Sequence, residues 1–157
     1  MATLHLMTGL PCSGKTTKAK QLEKRHNALL LSPDVWYIKL FGRNKGAKYN
    51  RNQRNVEFIM WTHASRVLSL GVDVILDYGF PTRAERDKYR EMARALGVNF
   101  KIHYMDVPVK ELYKRITKRN KVILKNFETI EDAFIIFRED MDVCVEKFEA
   151  PSSGELK

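Results

Sequence analysis

The stretch GLPCSGKTT, residues 9–17, fits the pattern G-x-x-x-x-G-K-[ST] at every fixed position. Glycines let such a phosphate loop (P-loop) wrap closely around phosphate oxygens, because no Cβ stands in the way. Consecutive N–H groups and the positive end of a following helix would form an anion cradle. Lys15 would reach the β- and γ-phosphates of a nucleotide, and the Thr16 hydroxyl would bind Mg²⁺. The pattern predicts a nucleotide site formed by Gly9, Pro11, Cys12, Ser13, Gly14, Lys15, Thr16 and Thr17.

Asp77 follows the apolar run VIL, which is typical of a buried strand. A carboxylate in this place, after a P-loop, could hold Mg²⁺ through water or accept a hydrogen bond from an acceptor hydroxyl. Motor ATPases commonly place a water-activating Glu directly after this Asp, whereas here Tyr78 follows. The guanine-binding pattern NKxD of switch GTPases is also missing, since residues 44–47 and 120–123 lack its Asp. Both of these classes are therefore disfavoured.

Asp34 lies in LSPDVW, just after a second predicted strand. A carboxylate at this position could accept the proton of an attacking hydroxyl as a general base. It could equally add a favourable negative charge to the first turn of a helix that begins at Pro33. The residues alone leave both interpretations open.

Arg115 and Arg119 lie four residues apart in YKRITKRN, hence on one face of a predicted helix. Phosphoryl transfer needs cations to neutralise the charge that develops on the γ-phosphate oxygens, and such arginines could supply them. The following segment KVILKNF, which we expect to be irregular, could close over the nucleotide as a lid. The other interpretation is a solvated basic helix face.

Alternating elements around these residues predict an α/β fold, with a parallel sheet of four to five strands flanked by helices. Ligands of such sheets bind beyond the carboxyl ends of the strands, where the P-loop, Asp34 and Asp77 all fall. A final helix is predicted from TIED (129–132) through Phe148. The predicted strands are 2–8, 28–32, 72–77 and 98–106, and the other predicted helices are 15–26, 33–40, 56–70, 81–97 and 109–120.

The length of 157 residues predicts one domain over residues 1–150, followed by a flexible tail over 151–157. The composition is 44% hydrophobic and 30% charged, which is ordinary for a soluble globular protein. No apolar run approaches the roughly 20 residues that span a membrane, and no signal peptide is expected at the N-terminus. Cys12 and Cys144 form no CxxC pair, so a reduced, cytoplasmic protein is expected.

The net charge of +9 is unevenly distributed along the chain. Such asymmetry predicts a face that attracts anions, either a nucleotide, a nucleic acid or solvent ions. The aromatic side chains of Trp36, Tyr37 and Tyr49 are candidates for stacking on bases. Residues 39–54 carry six basic side chains and no acidic one, namely Lys39, Arg43, Lys45, Lys48, Arg51 and Arg54.

These motifs together resemble the P-loop kinases that include phage polynucleotide kinase, zeta toxins and antibiotic phosphotransferases. The resemblance is strongest to the kinase domain of phage-type polynucleotide 5′-kinase, and it spans most of residues 4–120. The stretch after the fourth predicted strand matches this pattern in both spacing and identity. The matching stretches are GLPCSGKTT, SPDVW, VILDYGFPTRAER and MDVPVKELYKRITKRN.

The resemblance implies an ATP-dependent kinase that uses Mg²⁺ and transfers the γ-phosphate to a hydroxyl. It implies that Lys15 and Thr16 bind phosphate and Mg²⁺, and that Asp34 is the general base. It further implies that Asp77 orients the acceptor hydroxyl and that Arg119, or alternatively Arg115, is the lid arginine.

The acceptor side departs from the pattern of that family at two places. Tyr37 stands where the family has an arginine that helps to bind the acceptor phosphate, and residues 78–80 lack its Thr-Asn. A nucleic acid 5′-hydroxyl end and a small-molecule hydroxyl both remain possible acceptors, and the short chain with its altered acceptor residues slightly favours the small molecule. A nucleotide-binding regulatory module without turnover is the alternative from another class.

Overall fold

The computed structural model describes residues 1–126 and 133–156. Its strands are β1 (Thr3–Thr8), β2 (Leu29–Leu31), β3 (Val74–Gly79) and β4 (Asn99–Tyr104). Its helices are α1 (Lys15–His26), α2 (Pro33–Phe41), α3 (Tyr49–Ser69), α4 (Arg83–Ala95), α5 (Val109–Lys125) and α6 (Arg138–Lys147).

The strands form one parallel sheet in the order β2-β3-β1-β4. The central strand β1 aligns Leu4 with Val74 of β3 on one side and with Phe100 of β4 on the other. The predicted α/β fold with a parallel sheet flanked by helices is therefore confirmed, with four strands in the described part of the chain. Because all strands run in the same direction, their carboxyl ends meet at one edge, where the P-loop begins.

Apolar side chains cover both faces of the sheet, as expected for parallel strands packed between helices. On one face, Leu4 and Leu76 pack against α3 through Met60 and Ala64. On the other face, a smaller cluster fixes α1 against the sheet and thereby holds the P-loop, which leads directly into α1. Its buried members are Met7, Ala19, Leu22 and Ile75.

Several helix boundaries differ from the sequence-based expectation. Helix α3 begins at Tyr49, seven residues before the predicted start at residue 56. Residues 49–55 are mostly polar and carry no apolar periodicity, so the sequence pattern does not mark this start. Helix α5 continues to Lys125, although residues 121–125 were expected to be irregular. Ile123 is buried and continues the apolar stripe of Ile116, which explains the extension. Helix α6 begins at Arg138, and the TIED segment lies outside the described residues.

The C-terminal segment packs against α4, where the sequence predicts a flexible tail. The Arg86 side chain, which is 0% exposed, forms an ion pair with Glu155 at 2.8 Å and donates to the Phe80 carbonyl at 3.2 Å. A buried guanidinium without a carboxylate partner would be strongly destabilising. Residues 151–156 therefore contribute to the stability of the domain. The single-domain boundary itself stays a prediction.

The pair between Glu155 and Arg86 predicts a pH-dependent contribution to stability. Hydrogen bonds from Arg86 lower the pKa of Glu155 from 4.5 to about 2. The unfolded chain therefore binds more protons between these two values, and the contribution is complete above pH 4.5 and lost as the pH falls toward 2. We expect Glu155→Gln to reduce the free energy of unfolding by about 3 kcal/mol at pH 7. The difference in stability between the variant and the wild type should shrink as the pH falls from 4.5 to 2.

Urea denaturation of both proteins at several pH values measures the difference. Glu146→Gln, a substitution at an exposed glutamate of α6, is the control and should leave the profile unchanged. A Glu155→Gln protein as stable as the wild type at pH 7 would contradict the prediction.

No helix in the described part of the chain combines the length and apolar character that crossing a membrane requires.

Candidate active site

The P-loop is held in a tight conformation between β1 and α1. Gly9 has φ +148°, and a Cβ at this residue would lie 2.8 Å from the Ser13 hydroxyl and 3.0 Å from the Met105 carbonyl oxygen. Cys12 adopts a left-handed conformation with φ +62°. Gly14 caps α1 without a side chain, so the first N–H groups of the helix are available to an anion. This geometry is suited to a phosphate.

Lys15 is folded back onto the loop that precedes it. Its Nζ atom donates to the Leu10 carbonyl oxygen at 2.8 Å. Burial lowers the pKa of Lys15 from its usual 10.5, and the nearby carboxylates of Asp77 and Asp34 partly offset this effect. A partly desolvated ammonium at this position is well placed to exchange its carbonyl partner for a phosphate oxygen.

Asp77 near the end of β3 connects the P-loop with the end of β2. Its Oδ2 atom accepts a hydrogen bond from the Thr16 hydroxyl at 2.7 Å and one from the Ser32 hydroxyl at 3.4 Å. Neighbouring ligands of an octahedral Mg²⁺ lie about 3 Å apart, and Mg²⁺ prefers oxygen ligands of this kind. Thr16 and Asp77 could therefore hold the ion together, directly or through water.

Asp34 lies in the first turn of α2 and also on the wall of the cleft above the P-loop. Its side chain is open to the solvent of the cleft, yet the surrounding walls desolvate it and raise its pKa, with a further contribution from Asp77. The cations of Lys45, Arg119 and Lys15 oppose this rise. Both interpretations that the sequence leaves open are compatible with this position. A carboxylate with a raised pKa, surrounded by cations, is suited to accept a proton.

The two arginines of α5 point toward the P-loop and are not a purely solvated face. Arg115 Nη1 lies 3.5 Å from the Cys12 carbonyl oxygen, while its Nε pairs with Glu111 at 3.2 Å. Arg119 Nη1 lies 3.6 Å from the Cys12 sulfur. Arg119 also acts electrostatically on Asp34, which lines the same cleft.

These groups line one cleft of about 1130 Å³ at the carboxyl edge of the sheet. Helices α2, α3 and α6 supply its further walls. The structure brings together most of the site residues that the sequence predicts. They are Gly9, Pro11, Cys12, Gly14, Lys15, Thr16, Thr17, Asp34, Asp77, Arg115 and Arg119.

Two predicted site residues do not line the cleft. Ser13 is buried beneath the loop, against Gly9. Tyr37, which the sequence analysis places at the substrate, is 2% exposed and packs in an aromatic cluster with Phe41 and Tyr49, at ring distances of 5.0 and 4.9 Å. The reason is helical phase, because Tyr37 lies on the inner face of α2 while Asp34 and Trp36 lie on the cleft side.

Other cleft residues were missed by sequence reasoning. Ser32 lies beside Asp77 because parallel strands place their carboxyl ends at the same edge of the sheet. The same rule, applied to the sequence, could have predicted that Ser32 lies at the cleft. The remaining ones carry no sequence signal, since their position depends on how α3 and α6 pack. They include Gln53 of α3 and Asp140, Cys144 and Lys147 of α6. The end of the predicted lid lies outside the described residues.

Fold and cleft together define a kinase-like P-loop domain. The chain belongs to the AAA domain family, whose sequence pattern matches residues 4–141.

A curated relative and two solved structures are similar to the chain. Adenylyl-sulfate kinase of Saccharomyces cerevisiae is 30% identical over 139 residues, which cover 79% of this chain and 65% of the relative. Kti12 of Chaetomium thermophilum, solved with ADP-AlF3, has a TM-score of 0.70 at 22% identity and covers 95% of this chain and 81% of its own. A chain of the Pnkp1/Rnl/Hen1 RNA repair complex has a TM-score of 0.62 at 19% identity, covering 95% of this chain and 47% of its own.

The two structural likenesses concern the fold. They agree with the resemblance to P-loop kinases in general, and they do not single out the phage-type polynucleotide kinase among them. The chain spans about two thirds of the length of the yeast relative.

Proposed function

We propose that the protein is an ATP-dependent phosphotransferase that moves the γ-phosphate of ATP to a hydroxyl of a small molecule. The observation that carries this proposal is the position of Asp34, whose carboxyl shares one cleft with Lys15 and Arg119. A nucleotide held by the P-loop would direct its γ-phosphate toward this carboxylate. An acceptor hydroxyl between the two would then have a phosphate to attack and a base to receive its proton.

In the reaction, the acceptor oxygen forms a bond to the γ-phosphorus while the bond between that phosphorus and the β,γ-bridging oxygen breaks. ADP leaves, and the hydroxyl proton passes to the Asp34 carboxylate. Lys15 and Arg119 neutralise the negative charge that spreads over the transferring group. Thr16 and Asp77 would hold Mg²⁺, which would supply further charge stabilisation to the phosphates.

The position of the basic residues favours a small acceptor over a nucleic acid. Among the described residues that line the cleft, Lys45 is the only basic one from segment 39–54. Its Nζ atom lies over the rings of Tyr49 and Phe134 at 5.0 and 4.6 Å, on the cleft wall. A strand of nucleic acid needs a continuous track of phosphate contacts, and the basic segment contributes a single lysine to the cleft.

The relatives support both acceptor classes to different degrees. The yeast relative is named for adenylyl sulfate, a small nucleotide, and it is the more similar of the two in sequence. The RNA repair complex shares the fold and supports the nucleic acid acceptor. The cleft also carries Trp36 and Tyr49, which could stack on the base of a nucleotide in either case.

A panel of acceptors tests the proposal. ATP and Mg²⁺ are incubated with adenylyl sulfate, with sugars and amino alcohols, and with a 5′-hydroxyl oligonucleotide, and products are identified by mass spectrometry. We expect phosphorylation of a small molecule, with a rate that changes little between low and moderate salt. Preferred phosphorylation of the oligonucleotide, with a steep loss of binding at higher salt, would replace the small acceptor by a nucleic acid end. ATP binding without any phosphorylated product would favour the regulatory module.

A further inference from the structure

A cluster of imidazoles lies beside a carboxylate on the α1 face of the sheet, away from the cleft. We call His5, His26, Asp73 and His103 the histidine cluster. His5 is on β1 and His103 on β4, His26 ends α1, and Asp73 directly precedes β3. Because α1 is 12 residues long and begins at the P-loop, its last residue lies about 18 Å along the helix from that loop. The histidine cluster is therefore separate from the candidate active site.

Three members of the cluster bring one potential ligand atom each close together. One ring nitrogen each from His5 and His26 and one Asp73 oxygen all lie within 4.8 Å of one another. His5 Nε2 is 3.4 Å from Asp73 Oδ2, and His26 Nδ1 is 3.7 Å from the same oxygen. Tetrahedral zinc with ligands at about 2.0–2.2 Å places neighbouring ligand atoms about 3.4 Å apart. Small side-chain adjustments would therefore complete the geometry.

Each ligand is oriented by its own partner or is free to adjust. The Thr3 N–H donates to Asp73 Oδ1 at 2.7 Å, which leaves Oδ2 facing the two rings. His5 Nδ1 is 2.9 Å from His103 Nε2, and an N–H at His5 Nδ1 that donates to this nitrogen leaves the His5 Nε2 lone pair for an ion. Such an outer partner is the usual companion of a metal-binding histidine. His26, whose side chain is 36% exposed, provides the route of entry and can close on the ion.

We propose that His5, His26 and Asp73 bind one divalent transition metal ion of the zinc type, with His103 as the positioning residue behind His5. Two imidazoles and one carboxylate suit Zn²⁺, and solvent at the His26 side would supply the fourth ligand. The single carboxylate disfavours Mg²⁺ and Ca²⁺, which depend on several oxygen ligands. The ion would join the end of α1 to β1 and to the start of β3, and thus act on stability.

Metal titration of the whole chain tests this proposal independently of the kinase function. Tag-free protein is treated with a chelator, desalted, and titrated with Co²⁺ and then Zn²⁺ in excess Mg²⁺, following the visible d–d absorption of bound Co²⁺. We expect one equivalent to bind and Zn²⁺ to displace it. Zinc should also raise the Tm of the protein, because it binds the folded state.

The chain offers a matched control, since His63 is the one histidine of the four outside the cluster. His63→Ala should bind the ion like the wild type, while His26→Ala should weaken binding by 10-fold or more and lose the zinc-dependent rise in Tm. His103→Phe should weaken it about 10- to 100-fold, the range for an outer partner. His26 ends α1 with its side chain 36% exposed, so its variant should fold. Absence of stoichiometric binding to the wild type, or equal binding by His26→Ala and His63→Ala, would overturn the proposal.

Discussion

We expect Asp34→Asn to lower phosphoryl transfer by about 10²-fold or more, the usual scale of losing a general base, while the affinity for ATP stays within a few fold of the wild type. The substitution keeps the shape of the side chain and its place in the first turn of α2, but an amide cannot accept the acceptor proton. ATP affinity changes little because the P-loop holds the phosphates. The measurement is ADP release with the acceptor identified by the panel, together with calorimetric titration of ATP.

The pH dependence of the same variant gives a second readout. The pKa of Asp34 is raised by burial, so wild-type transfer should decline on the acid side as this carboxylate takes up a proton. Asp34→Asn should lack that acid limb. Asp87→Asn, at an exposed ion pair on α4, is the control and should leave both rate and profile unchanged. Wild-type transfer by the Asp34→Asn protein would remove Asp34 from the mechanism.

Lys15→Ala should abolish transfer and also weaken nucleotide binding. The Nζ atom of Lys15 is desolvated, and its hydrogen-bond partner among the described residues is the Leu10 carbonyl oxygen, which a phosphate oxygen would replace. Loss of a charge-assisted hydrogen bond of this kind weakens ATP binding about 10- to 100-fold. Transfer should fall about 10³-fold, because the same cation also stabilises the charge that develops in the transition state.

Lys24→Ala on the exposed end of α1 is the matched control for this experiment, and it should bind and transfer like the wild type. The contrast with Asp34→Asn is informative, since one variant should lose binding and transfer together and the other transfer alone. Wild-type ATP affinity in the Lys15→Ala protein would contradict the phosphate-binding role of the loop.

The two proposed sites lie at opposite ends of α1. The P-loop precedes its first residue, Lys15, and the histidine cluster surrounds its last, His26. A zinc-type ion at the far end would hold this helix against the sheet, and would thereby support the loop that its first turn completes. The ion is not required for phosphoryl transfer itself in the proposed mechanism.

The sequence by itself determined the P-loop, the parallel α/β fold and the edge of the sheet where the site lies. Each of these features can be predicted from residues that are close together in the sequence, namely the glycines of the P-loop, the apolar runs of the strands and the order of strands and helices. Asp34 and Asp77 could be predicted at the cleft for the same reason. Each follows or closes a predicted strand, and parallel strands all end at one edge. Their roles in catalysis stay predictions.

Only the tertiary structure decided which side chains face the cleft and which are buried. Periodicity did not reveal that Tyr37 turns inward, or that Arg119 reaches the Cys12 sulfur across 107 positions of sequence. It also gave no sign that Glu155 would neutralise the buried Arg86, or that His5 and His26 would meet at Asp73. Such contacts join residues that are distant along the chain, and they form only when helices pack in a particular phase against the sheet. Local patterns carry no information about that phase.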